Sequence, residues 1–160
     1  MTSATGPEPS SPSLTLAFRA MVTLDNPFEL GEVDGVRKRI FRITGGEITG
    51  LRLSGRVLPG GADWQTILPD GTAKVFARYT LQAEDRTLIG VTNAGIRRGP
   101  PEVMQRLAAG EQVDPQLYYF RSTPSFEVAA GPHHWLGQNI FVCSAARYPD
   151  RVALDFYLLT

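Results

Sequence analysis

Residues 14–24 read LTLAFRAMVTL, and every second position from Leu14 to Leu24 carries an apolar side chain. The positions between them include Thr15, Arg19 and Thr23. Successive side chains of a β-strand point to opposite faces, so this period of two predicts a strand with one buried face. The segment therefore predicts a β domain.

Turn-forming residues divide the rest of the chain into similar short runs. Asp34-Gly35, Thr44–Gly46, Pro59–Gly61 and Asp70-Gly71 each interrupt an apolar pattern. Asp-Gly is a strong hairpin signal because both positions tolerate positive φ. About nine or ten short strands separated by such turns predict a sandwich or a barrel. Beyond residues 14–24 the predicted strands are 36–43, 47–58, 62–68, 73–84, 87–96, 117–122, 125–129, 138–145 and 151–159, with a loop between 25 and 35.

One segment departs from the β pattern. It begins with Pro100-Pro101-Glu102 and ends at Gly110. Proline at the start, an acid in the first turn and glycine at the end predict a capped helix near Pro101–Ala109. A helix of this length is expected to cover one end of a barrel.

Polar residues within the strand segments favour a closed barrel over a sandwich. Several arginines, Asn93 and Glu127 lie among apolar residues. A sandwich core would bury such groups at high cost, whereas a barrel with a cavity can hydrate or pair them. We therefore predict an all-β fold, a single antiparallel β-barrel over residues 14–160 with one short helix, preceded by a disordered tail over residues 1–13.

The composition excludes several classes of partner. The 160 residues include 16 basic and 16 acidic side chains, which argues against binding nucleic acid or an anionic membrane. No apolar run is long enough for a membrane span. The single Cys143 cannot form an internal disulfide, so we expect a cytoplasmic protein. Self-association as a homo-oligomer is a reasonable expectation for a small β protein.

A longer motif identifies a family resemblance. Residues 58–65 read LPGGADWQ, and Ala77-Arg78-Tyr79, Tyr118–Arg121 and Phe126-Glu127 follow at later strands. Together these motifs resemble an uncharacterised bacterial β-barrel family known as domain of unknown function 3237, over about Leu14 to Tyr157. The resemblance implies a barrel. It also implies a link to formaldehyde-releasing lyases that act on lignin-derived aromatic compounds, an activity associated with one related branch.

The glycine corner at Pro59–Gly61 directs the residues that follow it. Asp63 beside Trp64 is a candidate general base next to an aromatic binding wall. In the alternative interpretation, Asp63 accepts hydrogen bonds from the free amides of the turn and Trp64 packs in the core.

Arginines and tyrosines on two later segments are further candidates. Arg78 and Tyr79 are adjacent, so only one of them can enter the barrel, whereas Tyr119 and Arg121 share one face. An inward arginine requires a carboxylate, such as Asp63 or Glu127, or a ligand anion. A structural arginine–carboxylate pair joining two strands is the competing explanation.

The adjacent His133 and His134 do not form a metal site by themselves, because zinc sites use three or four protein ligands. A single histidine at the barrel mouth, His134 beside Trp135, is the better candidate for binding or acid–base work. No phosphate-binding or dinucleotide motif is present, so no metal and no organic cofactor are expected.

These residues predict a cofactor-independent lyase or isomerase that acts on an aromatic or cyclic hydrophobic molecule by acid–base chemistry. A non-catalytic carrier or sensor barrel is the alternative, and an interaction module with structural polar residues is a third. The predicted catalytic residues are Asp63, Tyr79, Tyr119 and Glu127, and the predicted substrate-binding residues are Trp64, Arg78, Asn93, Arg121, His134 and Trp135.

Overall fold

A computed structural model describes residues 5–160, which form ten strands, one α-helix and two short 3₁₀ turns. None of the helices in this range is long and apolar enough to cross a membrane. The helix α1 spans Pro101–Ala108, and the 3₁₀ turns span Pro115–Leu117 and His134–Gly137. The strands are β1 (Leu14–Leu24), β2 (Phe28–Val33), β3 (Val36–Thr49), β4 (Gly55–Val57), β5 (Ala62–Ile67), β6 (Ala73–Ala83), β7 (Leu88–Arg98), β8 (Tyr119–Glu127), β9 (Ile140–Arg147) and β10 (Arg151–Leu159).

The sheet closes on itself. Its order is β1-β10-β9-β8-β7-β6-β4-β3, and β1 pairs with β3 to complete the ring. Strand β5 continues the position of β4 between β3 and β6, and β2 extends β3 outside the ring. All of these pairings are antiparallel. The structure therefore confirms the predicted all-β barrel with one short helix.

Four local predictions were wrong, and the first is the predicted strand 47–58, which is interrupted over residues 50–54 between β3 and β4. Residues 28–33 form β2 instead of a loop, and every side chain in β2 is exposed, so no apolar alternation marked it. The predicted turn at Gly45-Gly46 lies inside β3, because these glycines bend the strand without ending it. At Gly46 a Cβ atom would lie 1.9 Å from the Met21 carbonyl oxygen, so only glycine permits this approach of β1. Strand β8 likewise continues through Pro124.

Aromatic side chains fill one end of the barrel, which we call the aromatic end. It is defined by Phe18, Phe126, Phe141 and Phe156, all buried. The Phe18 and Phe156 rings stack with their centroids 4.3 Å apart, and Phe126 meets Phe141 edge to face at 5.1 Å. This packing closes the interior on that side and leaves the opposite end for other side chains.

The N-terminal segment before β1 has no helix or strand over residues 5–13. Its last residue is held, because the backbone amide of Ser13 donates to the Thr160 carbonyl oxygen at 2.7 Å. Residues 1–4 of the predicted disordered tail lie outside the described residues. The disorder of this tail stays a prediction.

Candidate functional site

Strand β5 carries the first polar side chains of the barrel interior. Asp63 and Gln65 alternate with the half-exposed Trp64, and in register with β6 they lie opposite Ala77 and Val75. The corner before β5 fixes this position. A Cβ atom at Gly61 would lie 2.5 Å from the Tyr79 Cβ atom, so glycine is required where the corner packs on β6.

Asp63 lines a small interior cavity of about 50 Å³. Its polar walls are completed by Tyr79, Asn93 and Ser122. The remaining walls are apolar and are formed by Val22, Leu24, Val75, Ala77, Phe120, Val152 and Leu154. Converging polar groups in an apolar enclosure suit a small-molecule site, but about 50 Å³ is far below the roughly 300–1,000 Å³ of such sites, so a ring enters only if the walls move apart.

The Asp63 carboxyl group accepts two hydrogen bonds. Gln65 Nε2 donates to Oδ2 at 2.7 Å, and the backbone amide of Phe76 donates to Oδ1 at 3.2 Å. Burial raises the pKa of Asp63 above its ordinary value, against the lowering effect of Gln65 and of Arg97. The group therefore holds a proton at a higher pH than an exposed aspartate, which suits proton transfer.

Tyr79 lies deep in the same cavity, beside the Asn93 amide. Burial raises the pKa of Tyr79 far above its ordinary value, so its side chain is a neutral phenol at physiological pH. The hydroxyl of Tyr79 is therefore suited to donate a hydrogen bond and not to act as a base. The Tyr79 hydroxyl, Asn93 Oδ1 and Ser122 Oγ are buried without a hydrogen-bond partner within residues 5–160.

Three arginines surround the next layer of the interior, and we call them the arginine cluster: Arg39, Arg97 and Arg147. Arg39 Nε donates to Gln65 Oε1 at 3.1 Å, and its guanidinium lies 4.9 Å from the Phe41 ring centroid. The guanidinium of Arg147 lies 5.1 Å from the centroid of the same Phe41 ring. Arg97 is only 3% exposed, and its guanidinium lies 5.3 Å from the Phe120 ring centroid.

The helix α1 covers this end of the barrel. Between the helix and the arginine cluster lies a second cavity of about 340 Å³. Arg39 and Arg97 form its floor on the barrel side, and Met104 and Ala108 line it from the helix. Arg39 and Arg97 thus line the cavity under the helix, whereas none of the three arginines lines the cavity that contains Asp63. We call this half of the molecule the arginine end.

Among the predicted site residues, the structure brings Asp63, Tyr79 and Asn93 together at the interior cavity, and Arg78, Tyr79 and Glu127 at a surface pocket of about 290 Å³. The expectation that Tyr119, Arg121 and Glu127 of β8 contribute to the site is corrected, because the β8 residues in the cavity wall are Phe120 and Ser122. In β8 the side chains of Phe120, Ser122 and Phe126 are buried, so the alternating positions face outward. Tyr119, Arg121 and Glu127 are therefore exposed on the outer surface, as are Trp64 on β5 and Arg78 on β6.

Neither predicted residue of the 134–137 turn lies near Asp63's cavity. His134 is exposed, and its neighbour His133 is the histidine with a partner, since Nε2 lies 2.8 Å from Asp85 Oδ2. Trp135 packs against Phe141 with a centroid distance of 5.8 Å, so it belongs to the aromatic end. There it lines an apolar surface groove together with Phe18.

Sequence reasoning missed the arginine cluster, Gln65 and Ser122. A usable signal existed in the period of two: Arg97 shares a strand face with Asn93, and Arg39 shares one with Phe41. The chain's other arginines hid it, because a single sequence does not show which face of a strand turns inward. Across residues 5–160 no three His, Cys, Asp or Glu side chains lie close enough together to hold a metal ion.

Comparison with known proteins places the chain among uncharacterised β-barrels. Residues 12–159 match the family model described as "Protein of unknown function (DUF3237)". The UPF0311 protein of Clostridium acetobutylicum is 40% identical over 144 residues, covering 89% of this chain and 91% of that protein. The crystal structure of a protein of unknown function from Rhodopseudomonas palustris superposes with a TM-score of 0.92 at 38% identity, covering 95% of this chain and 100% of that chain.

A more distant relative has a named activity. A protein of Penicillium herquei named a hydroalkoxylation enzyme is 33% identical over 91 residues, which are 57% of this chain and 60% of that protein. A crystal structure of an enzyme from the same organism superposes with a TM-score of 0.72 at 22% identity, covering 97% of this chain and 99% of that chain. This second similarity shows the shared fold alone.

Proposed function

The chain belongs to the DUF3237 family, and we propose that it is an enzyme that performs acid–base chemistry on an aromatic or cyclic small molecule. The reaction class is a lyase-type addition or elimination, or an isomerisation. The observation that carries the proposal is the Asp63 carboxyl group at the wall of an otherwise largely apolar cavity, with Tyr79 and Asn93 beside it.

Asp63 has the properties of a proton carrier. Its two hydrogen bonds hold the carboxyl group in one orientation, and burial raises its pKa towards the range in which it can both take and return a proton. The apolar walls keep bulk water away, which strengthens the electrostatic effect of each polar group inside.

Tyr79 and Asn93 are suited to orienting the substrate. The Tyr79 hydroxyl and the Asn93 carbonyl oxygen are buried without a partner within residues 5–160. A buried polar group without a hydrogen bond costs about 1–3 kcal/mol, so a substrate that supplies these partners recovers part of that free energy on binding. The neutral phenol of Tyr79 donates, and the Asn93 carbonyl accepts.

The proposed step is a proton transfer coupled to bond formation. The Asp63 carboxylate takes the proton of a substrate hydroxyl, and the oxygen forms a bond to one carbon of a conjugated C=C bond. The π electrons move to the conjugated oxygen of the substrate and then to the second carbon, which takes the proton back from Asp63. One O–H and one C=C π bond are replaced by one C–O and one C–H bond, and the reverse reaction is an elimination.

The Penicillium relative supports this reaction type, because hydroalkoxylation is the addition of an alcohol O–H across a carbon–carbon multiple bond. A retro-aldol cleavage that releases formaldehyde from a lignin-derived diaryl alcohol uses the same proton transfer at the same residue. There the phenolic alcohol first loses its benzylic hydroxyl as water to give a quinone methide. Asp63 then takes the proton of the side-chain CH₂OH group, the C–C bond breaks to release formaldehyde, and the electron pair restores the aromatic phenolate.

The alternative function is that of a carrier or sensor. The apolar lining of the cavity is the observation that favours it, because such walls bind a hydrophobic ring without any chemistry. A carrier would bind the same class of compound and return it unchanged.

The test uses the full-length protein and an exchange of Asp63 for its amide. Wild type, Asp63→Asn and Glu127→Gln are incubated with 2′-hydroxychalcone, a phenol whose C=C bond is conjugated to a carbonyl group, and, separately, with a diaryl alcohol of the lignin type. Ring closure is followed by mass spectrometry after chromatography, and formaldehyde by a colorimetric assay. Glu127→Gln is the matched control, because it neutralises an exposed carboxylate on the outer face of β8.

We expect Asp63→Asn to lower turnover by about 10²–10⁴-fold while the far-ultraviolet circular dichroism spectrum is retained. Glu127→Gln is expected to match the wild type. Equal turnover by the Asp63→Asn variant would exclude Asp63 as the proton carrier. If the wild type binds both compounds but converts neither, the carrier function replaces the enzymatic function.

A further inference from the structure

The arginine cluster carries an excess of positive charge in the barrel interior. The charge of Asp63 acts on all three of Arg39, Arg97 and Arg147, but its carboxyl group forms no ion pair with them within 4 Å. Three guanidinium groups against one carboxylate leave two positive charges. Buried cations are normally paired, so this arrangement is costly without a further anion.

Two further carboxylates act on the cluster from outside, Glu29 on Arg39 and Asp150 on Arg147, but each forms its ion pair with another arginine. Arg37, on the same strand as Arg39, is paired with Glu29 at 2.7 Å. Asp70 lies at the outer edge of the cavity under α1, where its Oδ1 accepts from the Thr72 amide at 2.9 Å. Asp150 is exposed and bonds Arg151 at 3.0 Å.

Arg97 is the clearest sign of a binding site. Nε and Nη1 of its guanidinium are buried, with no hydrogen-bond partner anywhere in residues 5–160. By contrast Arg39 bonds Gln65, and Arg147 donates to the Tyr148 and Arg151 carbonyl oxygens. Repulsion from these two neighbours adds to the cost of burying the Arg97 charge.

We infer that the arginine cluster binds the oxyanion of the substrate, with Arg97 as the principal donor, so the substrate is a phenol or an enolisable carbonyl compound. This inference rests on the proposed function, because it names the substrate class of the same site. Asp63 takes the proton on the inner side of the cluster, and the oxygen that receives the electrons lies against Arg97.

The aromatic neighbours favour a planar organic oxyanion. The guanidinium groups of Arg39 and Arg147 lie over the Phe41 ring, and that of Arg97 lies near the Phe120 ring. Phe120 also lines the cavity that contains Asp63. A conjugated ring can therefore pack on the apolar side while its charged oxygen contacts the cations. A phosphate ion has no apolar face that could pack against the phenylalanine rings.

The cluster also fits the charge that develops during the reaction. When a base removes the hydroxyl proton and the C=C π electrons shift, negative charge accumulates on the conjugated oxygen. Fixed cations in a water-poor site stabilise such charge far more than water does. An arginine exposed to solvent would give little of this effect, because water screens its charge.

The test measures binding of 4-nitrophenol, whose phenol and phenolate forms differ in colour. Absorbance titrations at several pH values give the affinity of the wild type for each form. Nitrobenzene, a neutral ring of similar size, is titrated by competition, and so are inorganic phosphate and 4-nitrobenzoate. The variants are Arg97→Gln, Arg97→Lys and Arg98→Gln. Arg98 is the matched control, because it is the next residue of β7 and is exposed on the outer face.

We expect the wild type to bind the phenolate at least about 10-fold more tightly than the phenol or nitrobenzene. Arg97→Gln is expected to lower phenolate affinity by about 10–100-fold, because hydrogen bonds to a charged group are lost. Arg97→Lys should retain part of the affinity, and Arg98→Gln all of it. If Arg97→Gln does not fold, the Arg97→Lys variant and the comparison of phenolate with nitrobenzene decide the question.

Equal affinity for phenolate and nitrobenzene, or preferred binding of phosphate or of 4-nitrobenzoate, would overturn the inference. These are equilibrium measurements that need no turnover. A phenolate preference that depends on Arg97 would therefore stand even if the Asp63→Asn variant remained active, and its absence would leave the acid–base proposal for Asp63 intact.

Discussion

The two ends of the barrel differ in what they bury: aromatic rings at one end and charged groups at the other. At the aromatic end Phe18, Phe126 and Phe156 pack their rings together and leave no polar group among them. At the arginine end Arg97 and Asp63 are enclosed by the same strands, yet the guanidinium lacks partners within residues 5–160 and the carboxyl pKa is raised. We therefore propose that one end serves stability and the other serves interaction with a ligand.

The two ends of the barrel contribute differently to the free energy of folding. Aromatic packing supplies the free energy of folding that the arginine end partly consumes, because buried charges and unbonded polar groups destabilise the folded state. Sites that carry function commonly break the rules that the rest of the protein obeys. Substitutions at the two ends should therefore have opposite effects on stability and on activity.

The largest expected effect is on turnover at low pH. Burial raises the pKa of Asp63, so its carboxylate form is lost at a higher pH than in an exposed aspartate, whose pKa is about 3.9. Turnover should fall about tenfold per pH unit on the acid side, with a midpoint above that value. A pH–rate profile of the wild type measures this limb. An acid limb at the ordinary aspartate value would separate the activity from Asp63.

The raised pKa of Asp63 also makes the free energy of unfolding depend on pH. Asp63 holds its proton more firmly in the folded chain than in the unfolded one, so protonation stabilises the fold at low pH. This contribution is lost as the pH rises through the folded-state pKa. Denaturant titrations of the wild type and Asp63→Asn should give a stability difference that shifts against the wild type over that range.

At the aromatic end we expect the largest loss of stability. Phe156 is completely buried and stacks on Phe18, so Phe156→Ala should lower the free energy of unfolding by about 3–5 kcal/mol. Phe76→Ala, at a half-exposed ring on the outer face, is the control and should cost far less. Urea denaturation measures both. Similar losses for the two variants would contradict the packing account.

The corner that positions Asp63 should be sensitive to one methyl group. Gly61→Ala places a Cβ atom 2.5 Å from the Arg78 carbonyl oxygen, so the corner must move and stability should fall by about 1–3 kcal/mol. Gly90→Ala is the control, because its Cβ atom would meet Glu127 Cβ at an ordinary 3.6 Å. Thermal unfolding of both variants, with turnover beside it, tests whether the corner serves the site.

The smallest change is expected at Arg97, with a gain in stability. Arg97→Met removes a buried charge and two unbonded donors but keeps an unbranched side chain beside Phe120. We expect the free energy of unfolding to rise by about 1 kcal/mol, within the usual cost of such groups. Arg98→Met, on the exposed face, should leave it unchanged. A clear loss of stability in Arg97→Met would show that the guanidinium has a structural role.

The sequence predicted the barrel because strand alternation and turn chemistry are local. Leu14–Leu24, the Asp70-Gly71 turn and the helix at Pro101 all behaved as their patterns indicated. The sequence did not predict β2, because every side chain in this strand is exposed and the strand therefore has no apolar alternation. The sequence did not predict the bend at Gly46, because the bend depends on contact with Met21, which is distant in the chain.

The site was only partly predictable from the sequence. The glycine corner marked Asp63, but the direction of β8 depends on which neighbour it pairs with, so Tyr119 and Glu127 were assigned to the wrong face. The arginine cluster is assembled from three strands far apart in the chain, and no local pattern joins them. The cytoplasmic location, the self-association and the independence from cofactors stay predictions.

The central claim, that function belongs to the arginine end, is tested most directly by mapping where a ligand binds. Uniformly ¹⁵N-labelled full-length protein is titrated with 4-nitrophenol at a pH at which the phenolate predominates, and the backbone amide shifts are followed by NMR. We expect the shifts to concentrate at residues 63–65, 93–97 and 120–122. Shifts concentrated instead at residues 49–52 and Trp135, around the groove of the aromatic end, would contradict the account.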